Sequence, residues 1–135
     1  MSTESLPAEV NRLLAASIRS IEELEVLMRL HGEGTAQRSQ DLAEALNIPE
    51  AIAESALQSL EAVGLVARSA NSRAYRYVPK QPELARAVEA LAEAYRENRV
   101  QIIMTISNNA IERMRHGVLQ LFSDAFRISR GKKDG

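Results

Sequence analysis

The chain has 135 residues, of which 45% are hydrophobic, 26% charged and only 4% aromatic. This size and composition are typical of one globular domain, or of one domain with an oligomerisation arm. The absence of cysteine excludes disulfides, thiolate metal sites and cysteine nucleophiles. The sequence shows no signal peptide and no apolar run long enough to span a bilayer, so we expect a cytoplasmic protein.

The formal net charge of −1 hides a strong asymmetry along the chain. Residues 1–64 contain four arginines and no lysine against eleven acidic residues, whereas residues 65–135 contain thirteen basic and seven acidic residues. The two halves therefore carry −7 and +6. Such a split favours either a partner for the basic half or self-association, and it is also compatible with simple solvation of the charges.

Two amphipathic helices are predicted at the beginning of the chain. Ser5 and Pro7 can start the first helix, within a segment that we assign to residues 1–19. Its apolar residues share one face: Val10, Leu13, Leu14 and Ile18. Ser20 and Glu23 form an S-x-x-E capping box, which predicts the start of a second helix. The apolar residues of that helix are Leu24, Leu27, Met28 and Leu30.

The middle of the chain predicts two further helices separated by a tight turn. The glycines of "HGEG" end the second helix, and "TAQ" can form a short strand. Ser39 is then predicted to cap a third helix, which Asn47 ends. Pro49 fits the first turn of a fourth helix over residues 49–63, and Gly64 stops it.

The hydrophobic period changes after Gly64. "LVARSANSRAYRYVP" contains two short runs rich in Val and Tyr around "SANS", which predicts a β-hairpin. Alternation along the second run places Arg73, Tyr75 and Tyr77 on one side of the hairpin and Arg76 on the other.

Residues 81–130 are predicted to form a helical arm with a break at Asn108–Asn109, followed by a polar tail at 131–135. The arm is too long to be buried by a small domain alone, so we expect it to form a homodimer. The expected interface residues are Ile102, Ile103, Ile106, Ile111, Met114, Val118, Leu121, Phe122 and Phe126. The alternative is an intramolecular four-helix core that includes residues 6–18, and a mixture of both arrangements is possible.

The order of these elements is that of a winged helix-turn-helix, mainly α with a small β-hairpin wing. Leu42, Ala43, Leu46 and Ile48 match an L-A-x-x-L-x-I pattern, and L-x-x-L-x-x-x-G-L-V begins at Leu57. Over residues 20–80 the sequence resembles bacterial winged-helix transcription regulators of the broad MarR/PadR/ArsR type. The D-x-R motif of MarR wings is absent, and ArsR-type metal sensing is excluded because there is no cysteine.

The resemblance implies that helix 49–63 and the wing contact duplex DNA. In the family, polar and basic residues at such positions contact bases and phosphates. The residues expected to bind DNA are therefore Arg38, Ser39, Gln40, Glu54, Ser55, Gln58, Arg68, Arg73, Arg76 and Lys80. Glutamates are unusual on such a helix, because carboxylates repel the phosphate backbone. Glutamate can nevertheless accept a hydrogen bond from cytosine N4, and glutamine can pair with adenine.

Two functions follow from the sequence. The first is a dimeric winged-helix transcriptional regulator that binds duplex DNA. The second, motivated by the acidic helix 49–63, is a winged-helix module that binds a protein partner and does not read DNA. Enzyme motifs are missing, no cofactor is implied, and two distant histidines make a poor metal site, so we expect neither catalysis nor a metal. A small-molecule effector is possible, but no residue pattern indicates one.

Overall fold

The computed structural model describes the backbone of residues 6–134 and the side chains of residues 6–126. Within these residues the elements run in the order α1 (Ala8–Ser17), α2 (Ile21–Glu33), β1 (Gln37–Arg38), α3 (Ser39–Leu46), α4 (Glu50–Ala62), β2 (Val66–Arg68), β3 (Ala74–Tyr77), α5 (Pro82–Glu97) and α6 (Arg99–Asp134). The fold is mostly helical with a small antiparallel sheet, as a winged-helix domain with a C-terminal helix requires. Ser5, predicted to start the first helix, lies outside the described residues.

The helix ends follow from local residue chemistry. The Ser20 Oγ accepts a hydrogen bond from the Glu23 backbone N–H at 3.1 Å, which confirms the N-cap of α2. The Glu23 carboxylate accepts from the backbone N–H of Arg19 at 2.9 Å, one residue earlier than a standard capping box. Gly34 and Asn47 end α2 and α3 in the left-handed conformation, with φ of 72° and 59°. Ser39 was predicted to cap α3 but is its first residue, and Arg38 occupies the cap position.

The sheet has β3 in the centre, paired antiparallel with β1 on one side and β2 on the other. Tyr75 lies opposite Gln37 in one pair and Arg68 in the other. The wing is therefore attached to the helix-turn-helix through β1, which immediately precedes α3. This attachment fixes the hairpin next to the first turn of α3.

One continuous core joins the helices and the sheet. Ala53, Leu57 and Leu60 of α4 are buried, and α4 packs against α2 and α3. The fully buried leucines of this core are Leu14, Leu24, Leu27, Leu30, Leu42, Leu57, Leu60, Leu65 and Leu91. Helix α1 packs against α5 and α6, so the N-terminal helix and the arm are in direct contact. The assignment of residues 1–19, 20–80 and 81–130 to separate units stays a prediction.

The break in the C-terminal arm was predicted at the wrong asparagines. Helix α6 continues through Asn108 and Asn109, and the break is at Asn98. The Asn98 backbone N–H donates to the carbonyl of Ala94 at 2.7 Å and so closes α5, while its Oδ1 accepts from the N–H of Gln101 at 3.4 Å and so begins α6. The backbone remains helical through Asp134, so the predicted polar tail at 131–135 is helical as far as Asp134.

Two residues expected in a dimer interface belong to the core of the single chain. Ile102 is 0% and Ile106 1% exposed, because this part of α6 packs against α1, α2 and α5. Ile103 is half-buried. Burial within the chain, as in the intramolecular alternative, is therefore found for Ile102 and Ile106. The remaining expected residues, from Ile111 to Phe126, are exposed.

Across the residues that the structure describes, no helix combines the length and the apolar character needed to cross a bilayer.

Candidate nucleic-acid interface

A groove of about 720 Å³ separates the helix-turn-helix from the wing. Its lining residues come from β1, α3, α4, β2 and the wing: Arg38, Ser39, Gln40, Glu50, Ala51, Glu54, Arg68, Arg73 and Tyr75. Six of the ten predicted DNA-binding residues lie here. The fold thus brings Arg38 together with Arg68 and Arg73 of the hairpin around the first turns of α3 and α4.

The other four predicted residues lie outside this groove. Ser55 and Gln58 are exposed on α4. Arg76 is exposed on β3 and alternates with Tyr75 and Tyr77, so it points away from the helices. Lys80 follows the hairpin, where its backbone N–H donates to the carbonyl of Gly64 at 2.9 Å.

The glutamates of α4 lie on its flank. Glu50, Glu54 and Glu61 follow one another at spacings of four and seven residues, which places them along one side of the helix. Ala51, Ser55, Gln58 and Ala62 follow a 4-3-4 spacing on a different side, and all four are exposed. The side of α4 that points furthest from the core is therefore neutral.

Both glutamates that line the groove accept hydrogen bonds from neighbouring side chains. Glu54 Oε2 accepts from the Tyr75 hydroxyl at 3.3 Å and from the Gln58 Nε2 at 3.2 Å. Glu50 Oε2 accepts from the Ser39 Oγ at 3.4 Å. With Arg38, Arg68 and Arg73 beside them, the two carboxylates leave a surplus of one positive charge on the groove.

Tyr75 joins the wing to α4. Its ring is buried, and burial raises the pKa of its hydroxyl above the usual range. The nearby charges of Glu54 and Glu61 raise this pKa further, and hydrogen bonding to Arg68 opposes them. The hydroxyl therefore stays protonated at neutral pH and remains a donor to Glu54. Strand alternation placed Tyr75 and Tyr77 on one face but did not identify that face as the one toward α4, so sequence reasoning missed this contact.

Tyr77, the other tyrosine of β3, packs against His31 of α2 and does not line the groove. Its ring and that of His31 form a T-shaped pair with centroids 5.2 Å apart, and His31 Nε2 lies 2.8 Å from the Glu89 carboxylate. Among the side chains that the structure describes, the Tyr77 hydroxyl is a buried polar group without a hydrogen-bond partner. Burial raises the pKa of Tyr77 to about 12, with the Glu89 charge adding to the effect. Tyr77 and His31 thus pack the wing against α2 and α5.

No group of three His, Asp or Glu side chains in the described part of the chain is arranged to hold a metal ion. The groove carries three arginines, two glutamates and the amide of Gln40, and arginines and amides are groups that contact phosphates and base edges.

The fold and the groove define a winged-helix protein with a basic, amide-bearing surface. Residues 21–83 match the family described as the sugar-specific transcriptional regulator TrmB. The match begins at the first residue of α2 and ends at the second residue of α5, so it covers the helix-turn-helix and the wing. It supports a winged-helix transcriptional regulator, and the matching family is not an enzyme family. The match does not establish the MarR, PadR or ArsR type. No curated protein and no solved structure matches the chain.

Proposed function

We propose that this protein is a dimeric transcriptional regulator that binds duplex DNA with α4 and the wing. The observation that carries the proposal is the convergence of Arg38, Arg68 and Arg73 on one groove beside the exposed face of α4. Phosphate neutralisation by arginine supplies most of the affinity of such proteins for DNA. The exposed Ser55 and Gln58 would then face base edges in the major groove.

The position of the glutamates weighs against the alternative of a protein-binding module. Glu50 and Glu54 lie on the flank of α4 and accept hydrogen bonds from Ser39, Tyr75 and Gln58. A carboxylate engaged in this way repels a phosphate less than a solvated one pointing at the backbone would, because nearby donors offset its charge. The acidic composition of α4 is thus compatible with DNA binding.

The dimer rests on the exposed face of α6. From Val100 to Phe126 the helix carries nine large apolar side chains that are each about half exposed or more: Val100, Met104, Ile111, Met114, Val118, Leu119, Leu121, Phe122 and Phe126. At a rise of about 1.5 Å per residue this face is roughly 39 Å long. A contiguous apolar face of this extent marks an interaction site. We propose a second copy as its occupant, since a two-fold dimer would place two α4 helices on successive half-sites.

The match to the TrmB family supports transcriptional regulation as the function of this protein. The matched residues end at residue 83 and include none of α6.

The test is a gel-shift titration of a mixed-sequence duplex at low salt with wild type, the Arg68→Ala/Arg73→Ala double variant and Arg96→Ala. Arg96 is an exposed arginine in the last turn of α5 and does not line the groove, so its loss removes a positive charge outside it. We expect wild type and Arg96→Ala to bind alike and the double variant to bind at least tenfold more weakly. Equal binding by all three proteins would show that the groove is not the DNA site.

A further inference from the structure

The contact between Glu54 and Gln58 restricts how Gln58 can meet a base. The two residues are one helical turn apart on α4, and the Gln58 Nε2 donates to Glu54 Oε2 at 3.2 Å. If the amide were rotated by 180°, its carbonyl oxygen would face the carboxylate, and two acceptors would repel each other. The carboxylate therefore selects one of the two orientations of the Gln58 amide.

Tyr75 fixes the carboxylate in turn. Its hydroxyl donates to the same oxygen, Glu54 Oε2, at 3.3 Å, and its ring is 2% exposed in the core between the sheet and the helices. A rigid, buried ring on the central strand thus positions a half-buried carboxylate, which positions an exposed amide. The three residues join the wing to the exposed face of α4.

The selected orientation has a definite recognition chemistry. A primary amide carries two N–H groups and one carbonyl oxygen. With one N–H donated to Glu54, the second N–H and the oxygen remain available as an adjacent donor and acceptor. Adenine presents the complementary pair in the major groove, an acceptor at N7 and a donor at N6.

We propose that Glu54 is a positioning residue that holds Gln58 ready to read an adenine, with Tyr75 holding Glu54 in place. This inference rests on the proposed function, because it assumes that α4 faces the major groove. It assigns the conspicuous glutamate of α4 to specificity, exerted through Gln58, rather than to a direct contact with DNA.

The test is selection of bound sequences from a pool of random duplexes, followed by sequencing, with wild type, Gln58→Ala, Glu54→Gln and the matched control Glu61→Gln, which removes a charge on the same side of α4 outside the groove. Glu54→Gln keeps the size of the side chain, but its amide can donate as well as accept, so Gln58 is released to flip. A good bidentate contact discriminates by about 5- to 150-fold. We expect wild type to select an adenine at one position of each half-site, and Gln58→Ala and Glu54→Gln to lose about tenfold preference at that same position. Glu61→Gln should retain it.

The outcomes separate the two proposals. If wild type selects an adenine that Gln58→Ala loses and Glu54→Gln keeps, the positioning role of Glu54 is wrong while DNA binding stands. A uniform change in affinity for all sequences in Glu54→Gln would also overturn it, since that is the effect of charge alone. If wild type enriches no sequence and binds no duplex, the proposed function fails and this inference fails with it. Thermal unfolding of each variant establishes that it is folded.

Discussion

The two tyrosines of β3 differ in their hydrogen bonding, and the sequence does not predict this difference. Tyr75 and Tyr77 are two positions apart on β3 and share one face, yet only the Tyr75 hydroxyl has a hydrogen-bond partner. The alternation of the strand predicts the shared face. The partner depends on which helix lies above each ring, and that is set by the three-dimensional packing of α4 over Tyr75 and of α2 and α5 near Tyr77.

This difference predicts opposite effects of removing the same atom. Tyr75→Phe should lower the free energy of unfolding by about 1 kcal/mol, because Glu54 loses a donor. Tyr77→Phe should leave it unchanged or raise it, because a buried hydroxyl without a partner is removed. Urea unfolding of the two variants beside wild type checks this. A larger loss of stability in Tyr77→Phe than in Tyr75→Phe would contradict the assignment.

Tyr77 also predicts a pH dependence. Its pKa is raised to about 12 in the folded protein, above the ordinary value of 10.0, so folding favours the protonated phenol. The resulting stabilisation is complete below pH 10 and is lost between pH 10 and pH 12. Wild type should therefore lose stability more steeply than Tyr77→Phe over this interval in urea unfolding. The stability of Tyr77→Phe should still fall somewhat over this interval, because the pKa of Tyr75 is raised too. Parallel curves would show that Tyr77 ionises normally.

At the scale of the elements, the sequence predicted most of the fold because local signals agree with the packing. The amphipathic pattern of α1 and α2, the left-handed Asn47 and the hairpin residues each favour the structure that tertiary contacts require. The error at Asn108–Asn109 has a physical cause. Asparagine is only mildly unfavourable inside a helix, so it need not interrupt one. At Asn98 the side chain caps the backbone, and at Asn47 the residue adopts the left-handed conformation, whereas neither occurs at Asn108–Asn109.

The N-cap of α2 gives a direct test at this scale. Ser20→Ala removes the acceptor for the Glu23 N–H and should lower the free energy of unfolding by about 1 kcal/mol. Ser123→Ala, an exposed serine within α6, is the matched control and should change it by less than about 0.5 kcal/mol. Thermal or urea unfolding measures both. Equal effects would mean that the cap does not contribute.

For the whole molecule, the sequence could not separate burial within the chain from burial against a second copy. Ile102 and Ile106 are apolar residues at helical spacing, as the residues of a dimer interface would also be. They are nevertheless buried by the chain's own helices. Val100, Met104 and Ile111 lie near the opposite side of α6, where the chain provides no cover. An apolar pattern predicts that a helix face is buried. It does not predict whether the same chain or a second copy buries it.

The exposed part of α6 predicts a dimer that a single charge disrupts. Phe122→Glu places a carboxylate on the apolar face, where burial of an unpaired charge is strongly unfavourable. Light scattering coupled to size exclusion should give twice the chain mass for wild type and the chain mass for this variant. Gln120→Glu, whose side chain lies on the other side of α6, should remain dimeric. A monomeric wild type at micromolar concentration would contradict the proposed dimer.

The central claim is that the arginine-lined groove binds the phosphate backbone of duplex DNA. The most direct test is fluorescence anisotropy of wild type with a random-sequence duplex over a series of salt concentrations. The affinity should fall steeply, since log K decreases against log salt with a slope of about −0.9 for each phosphate neutralised. Removing Arg68 and Arg73 should flatten that slope. Absence of binding at low salt, or binding that salt does not weaken, would contradict the claim. Either result would favour a protein partner instead of DNA.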